Sequence, residues 1–477
     1  MRRAVVLAVV VGGCTDGVVA IAPVYQVPVD DPTATASGLD ELQLSVARAG
    51  SDDDLVSVSF APGQAIELAG VPFSDDLVIH LAGRIGATDV AYGRTCAFAV
   101  RADQPAPTPH LLFARNVKFA TIPVVLEPRR GGAAVTAADG SALVIGGDAP
   151  SAGAVVERYD PATATVTAAA AVSPRRDAVA VGFGTGASMR VTLLGGAHAD
   201  GAGAAEVEHL RVDGAAILVD RLDEPRLARV ELTATALTDG RVVVVGGRPP
   251  GGAPTGAVEV MAELGGATEV RPARSTLAQP RAGHTATRLG DDVGAPVLIV
   301  GGVDPAGAPV AVAELWKPLA GDLADPAVFA PAMVVPRSHH LSQLMPDGSV
   351  LIIGGVDAAG AAVRTLERFT LDAGFVAVGD LPATVGVVEL SATGLPDGRI
   401  LLVGGRAGPG LPPLDTAAIA RLDLIDGSVD VVATDRLAVP RAGHQAALLC
   451  DGTVLISGGT AAPARAERYN PPPTGRR

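Results

Sequence analysis

The sequence predicts an all-β protein built from seven copies of one antiparallel unit. Three observations carry that prediction. Glycine pairs recur at Gly146-Gly147, Gly195-Gly196, Gly246-Gly247, Gly301-Gly302, Gly354-Gly355, Gly404-Gly405 and Gly458-Gly459, a period of about fifty residues that marks a copied supersecondary unit. Apolar residues come in short bursts such as Val242-Val243-Val244-Val245 and Ile400-Leu401-Leu402-Val403, bounded by Gly, Pro and Asp as buried strands are. Ahead of the glycine pair, five repeats carry an Asp-Gly turn: Asp139-Gly140, Asp239-Gly240, Asp347-Gly348, Asp397-Gly398 and Asp451-Gly452. Asp-Gly is expected to supply the positive φ angles of a hairpin between strand 1 and strand 2 of each unit.

The 477 residues carry a formal charge of -14, which repels phosphate backbones and argues against nucleic acid as a partner. Lys118 and Lys317 are the only lysines; nearly all positive charge is arginine.

The first residues read as an export signal. Arg2 and Arg3 precede the apolar stretch Ala4 to Val11, too short to span a bilayer. Val11-Gly12-Gly13-Cys14 follows and resembles the cleavage site of bacterial lipoproteins. The resemblance implies cleavage before Cys14, acylation of that cysteine, and, with Thr15 behind it, sorting to the outer membrane. An ordinary signal peptide with an incidental cysteine, and no export at all given the short apolar stretch, are the other readings. Residues 1–13 are therefore expected to be a signal peptide and 14–38 a flexible tether, so that the membrane is met only through the N-terminal lipid.

Residues 39–116 alternate short apolar and polar segments, among them Leu77-Val78-Ile79-His80-Leu81, and are expected to form a small β-sandwich serving as spacer or adaptor. Cys96 and Cys450 are expected to remain separate thiols, although an exported protein could pair them.

Within the repeats, strand 3 follows the glycine pair and carries a glutamate: Glu157, Glu208, Glu259, Glu314, Glu367 and Glu467. Strand 1 opens on Pro-Arg at Arg129, Arg175, Arg226, Arg281, Arg337 and Arg441, and three copies extend to His284, His340 and His444. This combination resembles the kelch motif over residues 117–471. The resemblance implies a seven-bladed β-propeller with one four-stranded sheet per blade around a channel. One departure is that Trp316, the sole tryptophan, aligns with Tyr159 on strand 3, whereas kelch blades often carry Trp on strand 4. The seventh repeat stops after strand 3. Residues 117–127, with Phe119 to Leu126 strand-like, are expected to complete the last blade and leave no open edge, with 472–477 a disordered tail.

Strands 1 and 3 run the same way, so the arginine and glutamate begin at one face and are expected to pair. The sixth repeat has Ala383-Thr384 and Ala420 near these positions, losing both partners together. The competing reading is a cationic ring for an anionic ligand. The histidines share one repeat position and are expected to be structural. His339 and His340, as strand neighbours, are expected to point to opposite faces.

No metalloprotease, nucleophile-elbow or phosphate-loop motif occurs, and no metal or cofactor is expected. Galactose-oxidase-like enzymes share the kelch ring but carry copper on Tyr and His; this chain has four tyrosines, two of them at the strand 3 slot. Sialic acid mutarotases are also kelch rings. The expected function is a monomeric, lipid-anchored binding or scaffolding module of the cell envelope. Its partner, a protein or a glycan, is expected on the face of the 2-to-3 and 4-to-1 loops, with Leu319 to Val335 and Arg406 to Ala418 the long candidates. The alternative is a carbohydrate-active envelope enzyme.

Overall fold

A computed structural model describes residues 18–29, 35–51, 53–64, 68–126, 129–148, 154–184, 190–213, 216–318, 325–460 and 465–472. The signal segment, Cys14 and the tail beyond 472 lie outside the described residues.

Among the described residues are seven four-stranded antiparallel sheets. The first runs through Arg130–Thr136, Ala142–Asp148, Ala154–Asp160 and Thr165–Val172. The second uses Val179–Phe183, Arg190–Leu194, Glu206–Asp213 and Ala216–Asp223, and the third Thr233–Ala236, Val242–Val245, Val258–Leu264 and Ala267–Pro272. The fourth holds Ala282–Arg288, Val297–Val303, Val312–Lys317 and Asp325–Ala332. The fifth holds Leu341–Leu344, Val350–Ile353, Thr365–Thr370 and Gly374–Asp380, the sixth Ser391–Gly394, Ile400–Val403, Ala417–Leu422 and Val429–Ala433. The seventh takes His444–Leu448, Val454–Gly458 and Arg465–Asn470 from the end of the chain and Lys118–Val125 from ahead of the repeats. That borrowed strand pairs Phe119 with Tyr469 and Thr121 with Glu467. First strands of successive sheets touch in order, and the seventh touches the first, so the sheets close into a ring.

The Val, Leu and Ile bursts are the second strands, and Val242–Val245, Val350–Ile353 and Ile400–Val403 are buried at every residue. They feed cores shared by adjacent sheets: Val243 and Val245 of the third pack with Val297, Ile299 and Trp316 of the fourth. Such packing needs apolar side chains on both faces of a strand, which is why these runs do not alternate.

The glycine pairs have a specific task. The second glycine of each pair donates its amide to the carbonyl at the arginine position of the next sheet: Gly147 to Arg175, Gly196 to Arg229, Gly247 to Arg281, Gly302 to Arg337, Gly355 to Val387, Gly405 to Arg441 and, closing the circle, Gly459 to Arg129, at 2.7–3.1 Å. Gly355 shows why the residue must be glycine: its φ is +90° and a Cβ there would lie 2.6 Å from the Ser338 carbonyl oxygen.

Four expectations differ from the structure. In the Asp-Gly turns only the glycine is left-handed, with φ of +81° at Gly140. The aspartate instead accepts hydrogen bonds, as Asp139 does from the Ser141 amide and Arg158, the pattern of a type I turn with a glycine bulge. The stretch Leu319 to Val335 is not mainly loop, since Asp325–Ala332 is a fourth strand; residues 319–324 lie outside the described residues. Residues 14–38 are not a tether throughout. Val18–Ile21 pairs with Leu68–Pro72, and Val24–Gln26 runs parallel to His110–Leu112. Burial of Ile21 in the small domain's core outweighs the entropy of a free linker.

The small domain has a six-stranded sheet and two two-stranded ones, and Ile21, Leu44, Val71, Leu81 and Leu111 share its core. Cys96 and Cys450 are joined by a disulfide rather than left as separate thiols. Their sequence separation of 354 hid a Cα–Cα distance of 5.0 Å. Cys450 adjoins the turn between the first two strands of the seventh sheet, so the small domain docks on the face of the strand 1-to-2 turns.

Candidate functional site

Arg129–Glu157, Arg281–Glu314, Arg337–Glu367 and Arg441–Glu467 pair at 3.0, 2.7, 2.5 and 3.1 Å, and Arg175 pairs with Glu208. Each of these guanidiniums also donates to the carbonyl of the first glycine in its own pair, as Arg281 does to Gly301 at 3.2 Å. The glutamates in turn accept backbone amides from the segment entering the sheet: Glu314 from Ala278 and Gln279, Glu367 from Val334 and Val335. All five arginines are buried. Burial pulls the Arg281 and Arg337 guanidiniums below their ordinary value, with Glu314 and Glu367 opposing it. The arrangement locks each sheet's entry loop to its third strand and offers no open cation to an anionic ligand.

Arg226 is corrected. It sits in the 3-10 turn Pro225–Leu227 beside Glu224, and Arg229 pairs with Glu259 at 2.5 Å. The signal was present in the spacing. Where an Asp-Gly turn closes the hairpin, the arginine lies 17 residues before the first glycine, as in Arg129–Gly146, Arg337–Gly354 and Arg441–Gly458; without that turn it lies 20 before, as in Arg281–Gly301. The third repeat has the turn, which selects Arg229 over Arg226. The same rule moves the sixth-repeat positions from Ala383-Thr384 to Val387. Leu402, the counterpart of Ile299 opposite Glu314, lies opposite Ala418 rather than Ala420. Val387 and Ala418 are both fully buried.

His284, His340 and His444 each bridge to a hydroxyl on the first strand of the preceding sheet: Thr233 at 3.0 Å, Thr285 at 3.0 Å and Ser391 at 2.8 Å. Their rings cover the first glycine of that sheet's pair, with Gly246 and Gly301 leaving 2.6 Å for a Cβ against His284 and His340. Burial, then repulsion from the neighbouring arginine, holds all three near 3. They are neutral structural groups.

One group of residues escaped the sequence reading. Two positions after the arginine slot, all seven repeats hold a left-handed residue: Gly131, Asp177, Glu231, Gly283, His339, Glu389 and Gly443. Four are not glycine, with φ of +53° to +56°, and each costs about 1–2 kcal/mol in that conformation. The backbone links them around the ring: Asp177 donates to Gly131 at 2.9 Å, Gly283 to Glu231 at 3.1 Å, His339 to Gly283 at 2.9 Å, Gly443 to Glu389 at 2.9 Å and Gly131 to Gly443 at 3.4 Å. They start the inner strands and thus rim the channel on the face of the 2-to-3 and 4-to-1 loops.

Side chains lean across the glycine gaps. A Cβ on Gly131 would meet the Asp177 carboxylate at 2.8 Å, and one on Gly283 the His339 ring at 2.9 Å. His339 Nε2 lies 3.7 Å from Glu231, which also takes 2.8 Å from Arg248. Glu389 is held by Arg130 at 3.0 Å and Arg406 at 3.1 Å. The His339 imidazole and the Arg248 guanidinium hold the Glu231 carboxyl at about 2, against the opposing pull of burial. His339 is half exposed while His340 is buried; the left-handed turn at His339, not strand alternation, separates them. Asp177, Glu231 and Glu389 supply acceptors, and Arg130, Arg248 and Arg406 supply donors, in a charge-balanced belt open to solvent.

No family model and no curated protein matches the chain. Among solved structures, a fungal alcohol oxidase of the AA5 family, in complex with copper, matches with a TM-score of 0.52 and 17% identity over 74% of this chain and 76% of that chain. YjhT matches with a TM-score of 0.45 and 12% identity over 73% of this chain and 94% of that one. The first likeness is one of fold, all-β and propeller-like. A copper site on tyrosine and histidine does not fit here. Tyr159 and Tyr469 are buried, Tyr25 and Tyr92 belong to the small domain, and no cluster of three or more His, Cys, Asp or Glu able to hold a metal occurs among the described residues.

Proposed function

We propose that this chain is an exported, lipid-anchored, seven-bladed kelch-type propeller that binds a glycan at the mouth of its channel. The belt of left-handed Asp177, Glu231, His339 and Glu389, all but Glu231 exposed, carries the reading. Backbone strain held by surrounding structure concentrates at functional sites, and sugar hydroxyls need donors and acceptors side by side, which alternating carboxylates and guanidiniums provide. Balanced charge favours a neutral polyhydroxylated ligand over a strongly anionic one. The Cys96–Cys450 disulfide supports export, because such bonds persist in oxidising compartments. The small domain, which follows the lipid-bearing segment, docks on the face opposite the belt, so the mouth points away from the anchor.

A glycan array on the mature protein tests the reading. Retention of a defined glycan is expected, and Glu231→Ala or Glu389→Ala should weaken it about tenfold or more, as loss of a charge-assisted hydrogen bond does. No retained glycan, or retention indifferent to both changes, would overturn it. Turnover of the bound sugar, with the His339–Glu231 pair as acid and base, would shift the assignment to the carbohydrate-active enzyme. Anchoring is tested separately: Cys14→Ser is expected to move the protein from the membrane fraction to the soluble one, and unchanged membrane retention would refute lipidation.

A further inference from the structure

We infer that the small domain is a covalent clamp on the seam of the ring. The ring is sealed where Lys118–Val125 joins Arg465–Asn470, and within the seventh sheet only non-covalent contacts hold that joint: the backbone ladder, the Phe119–Tyr469 ring contact and the packing of Ile122 with Ala466. The two sides come from opposite ends of the chain, so nothing in the backbone prevents them from parting. The disulfide lies across this joint. Cys96 belongs to the domain that feeds directly into Lys118, and Cys450 belongs to the seventh sheet's first hairpin. Joining them makes a closed covalent circuit through the borrowed strand, six whole sheets and the first strand of the seventh.

Other contacts converge on the same place. The Asn470 side-chain amide donates to the Tyr92 and Ala114 carbonyls of the small domain at 3.0 and 2.9 Å. Its carbonyl accepts from Val117 at 2.8 Å. Val117 is left-handed at φ +62°, a costly conformation for a β-branched residue, and it sits at the junction between the domain and the borrowed strand. The Val29 amide reaches the Thr121 carbonyl at 3.2 Å, so the first described segment braces the borrowed strand as well. Across the neighbouring boundary, buried Arg468 of the seventh sheet donates to the Tyr159 hydroxyl of the first at 3.1 Å, and a Cβ on Gly140 would strike Cys450 Sγ at 2.5 Å. The clamp therefore grips the borrowed strand and the seventh sheet, and the seventh sheet in turn packs against the first.

Hydrogen exchange on the full mature protein and on a Cys96→Ser, Cys450→Ser variant tests this. Amides of Phe119 to Thr121 and Arg465 to Asn470 are expected to exchange about tenfold faster or more in the variant, while those of Val242 to Val245, across the ring, change less than about twofold, because local opening is confined to the unit that loses its restraint. If the variant does not fold, the same measurement is made on folded protein whose disulfide has been reduced by a water-soluble phosphine, which leaves two thiols and takes up oxygen from water. Unchanged exchange at the seam overturns the inference. So does equal acceleration in all sheets, which would make the disulfide a general stabiliser rather than a clamp.

Discussion

Replacing Arg281 with alanine is expected to destabilise the protein by about 3–5 kcal/mol, the cost of stranding one member of a buried ion pair. Arg281 and Glu314 are both fully buried and 2.7 Å apart. Without the guanidinium, Glu314 keeps only the amides of Ala278 and Gln279 as partners, and the Gly301 carbonyl loses its donor. The companion variant Arg281→Val with Glu314→Ala is expected to recover at least half of the loss. The sixth sheet is a natural precedent: it carries Val387 and Ala418 at these positions and still accepts the Gly355 amide at 2.8 Å. What the ring requires of that position is its backbone carbonyl; the side chain there must be either paired or apolar. Denaturant midpoints of the two variants decide the matter. A single variant as stable as the parent, or a double variant no better than the single one, contradicts the pairing account.

Acidification from pH 7 to pH 4 is expected to strip stability steeply, before most carboxylates titrate. Burial holds His284, His340 and His444 at about 3, whereas an unfolded histidine titrates near 6.5. Between those values the unfolded chain binds protons that the folded chain refuses. Stability therefore rises with pH through this window, is complete above about 6.5, and falls as pH drops toward 3. The limiting slope is about 1.4 kcal/mol per pH unit for each histidine, or about 4 for the three. His209, held at about 4 by burial and by Arg190, adds in the same sense. Glu231, held at about 2 against an ordinary 4.5, stabilises above 4.5 and loses its contribution only below that. Thermal unfolding at successive pH values should show the slope, and a triple His→Gln variant should flatten it between pH 6.5 and 4.5. A parent protein indifferent to pH in that interval would show that these rings admit protons when folded.

Local signals in the chain specify some features and leave others to tertiary contacts. The glycine pairs, the apolar bursts and the Asp-Gly turns are local signals, and they located the second strands and the hairpins. The missing fourth strand of the seventh repeat and the strand-like Phe119 to Leu126 pointed to the borrowed edge, because an unpaired sheet edge is costly. The paired Arg and Glu positions were legible from strand direction. Arg229 was not, because Pro-Arg at 226 is the stronger local pattern, and only hairpin length shows which arginine reaches the glycine carbonyl. The belt was legible in part: Gly131, Gly283 and Gly443 share the slot that Asp177, Glu231, His339 and Glu389 fill elsewhere. A slot holding glycine in three repeats points to a left-handed backbone, and non-glycine residues there mark strain.

The sequence by itself determined the repeated antiparallel unit, its seven recurrences and five of the six arginine–glutamate pairs, since these depend on interactions within about fifty residues of chain. The tertiary structure alone decided that Cys96 meets Cys450, that Val18 to Gln26 joins the small domain, and that four polar side chains rim one channel. The disulfide and the channel rim form only when the ring closes, and Val18 to Gln26 meets strands of its own domain that are about fifty to ninety residues away in sequence; no local spacing encodes distances that tertiary packing creates.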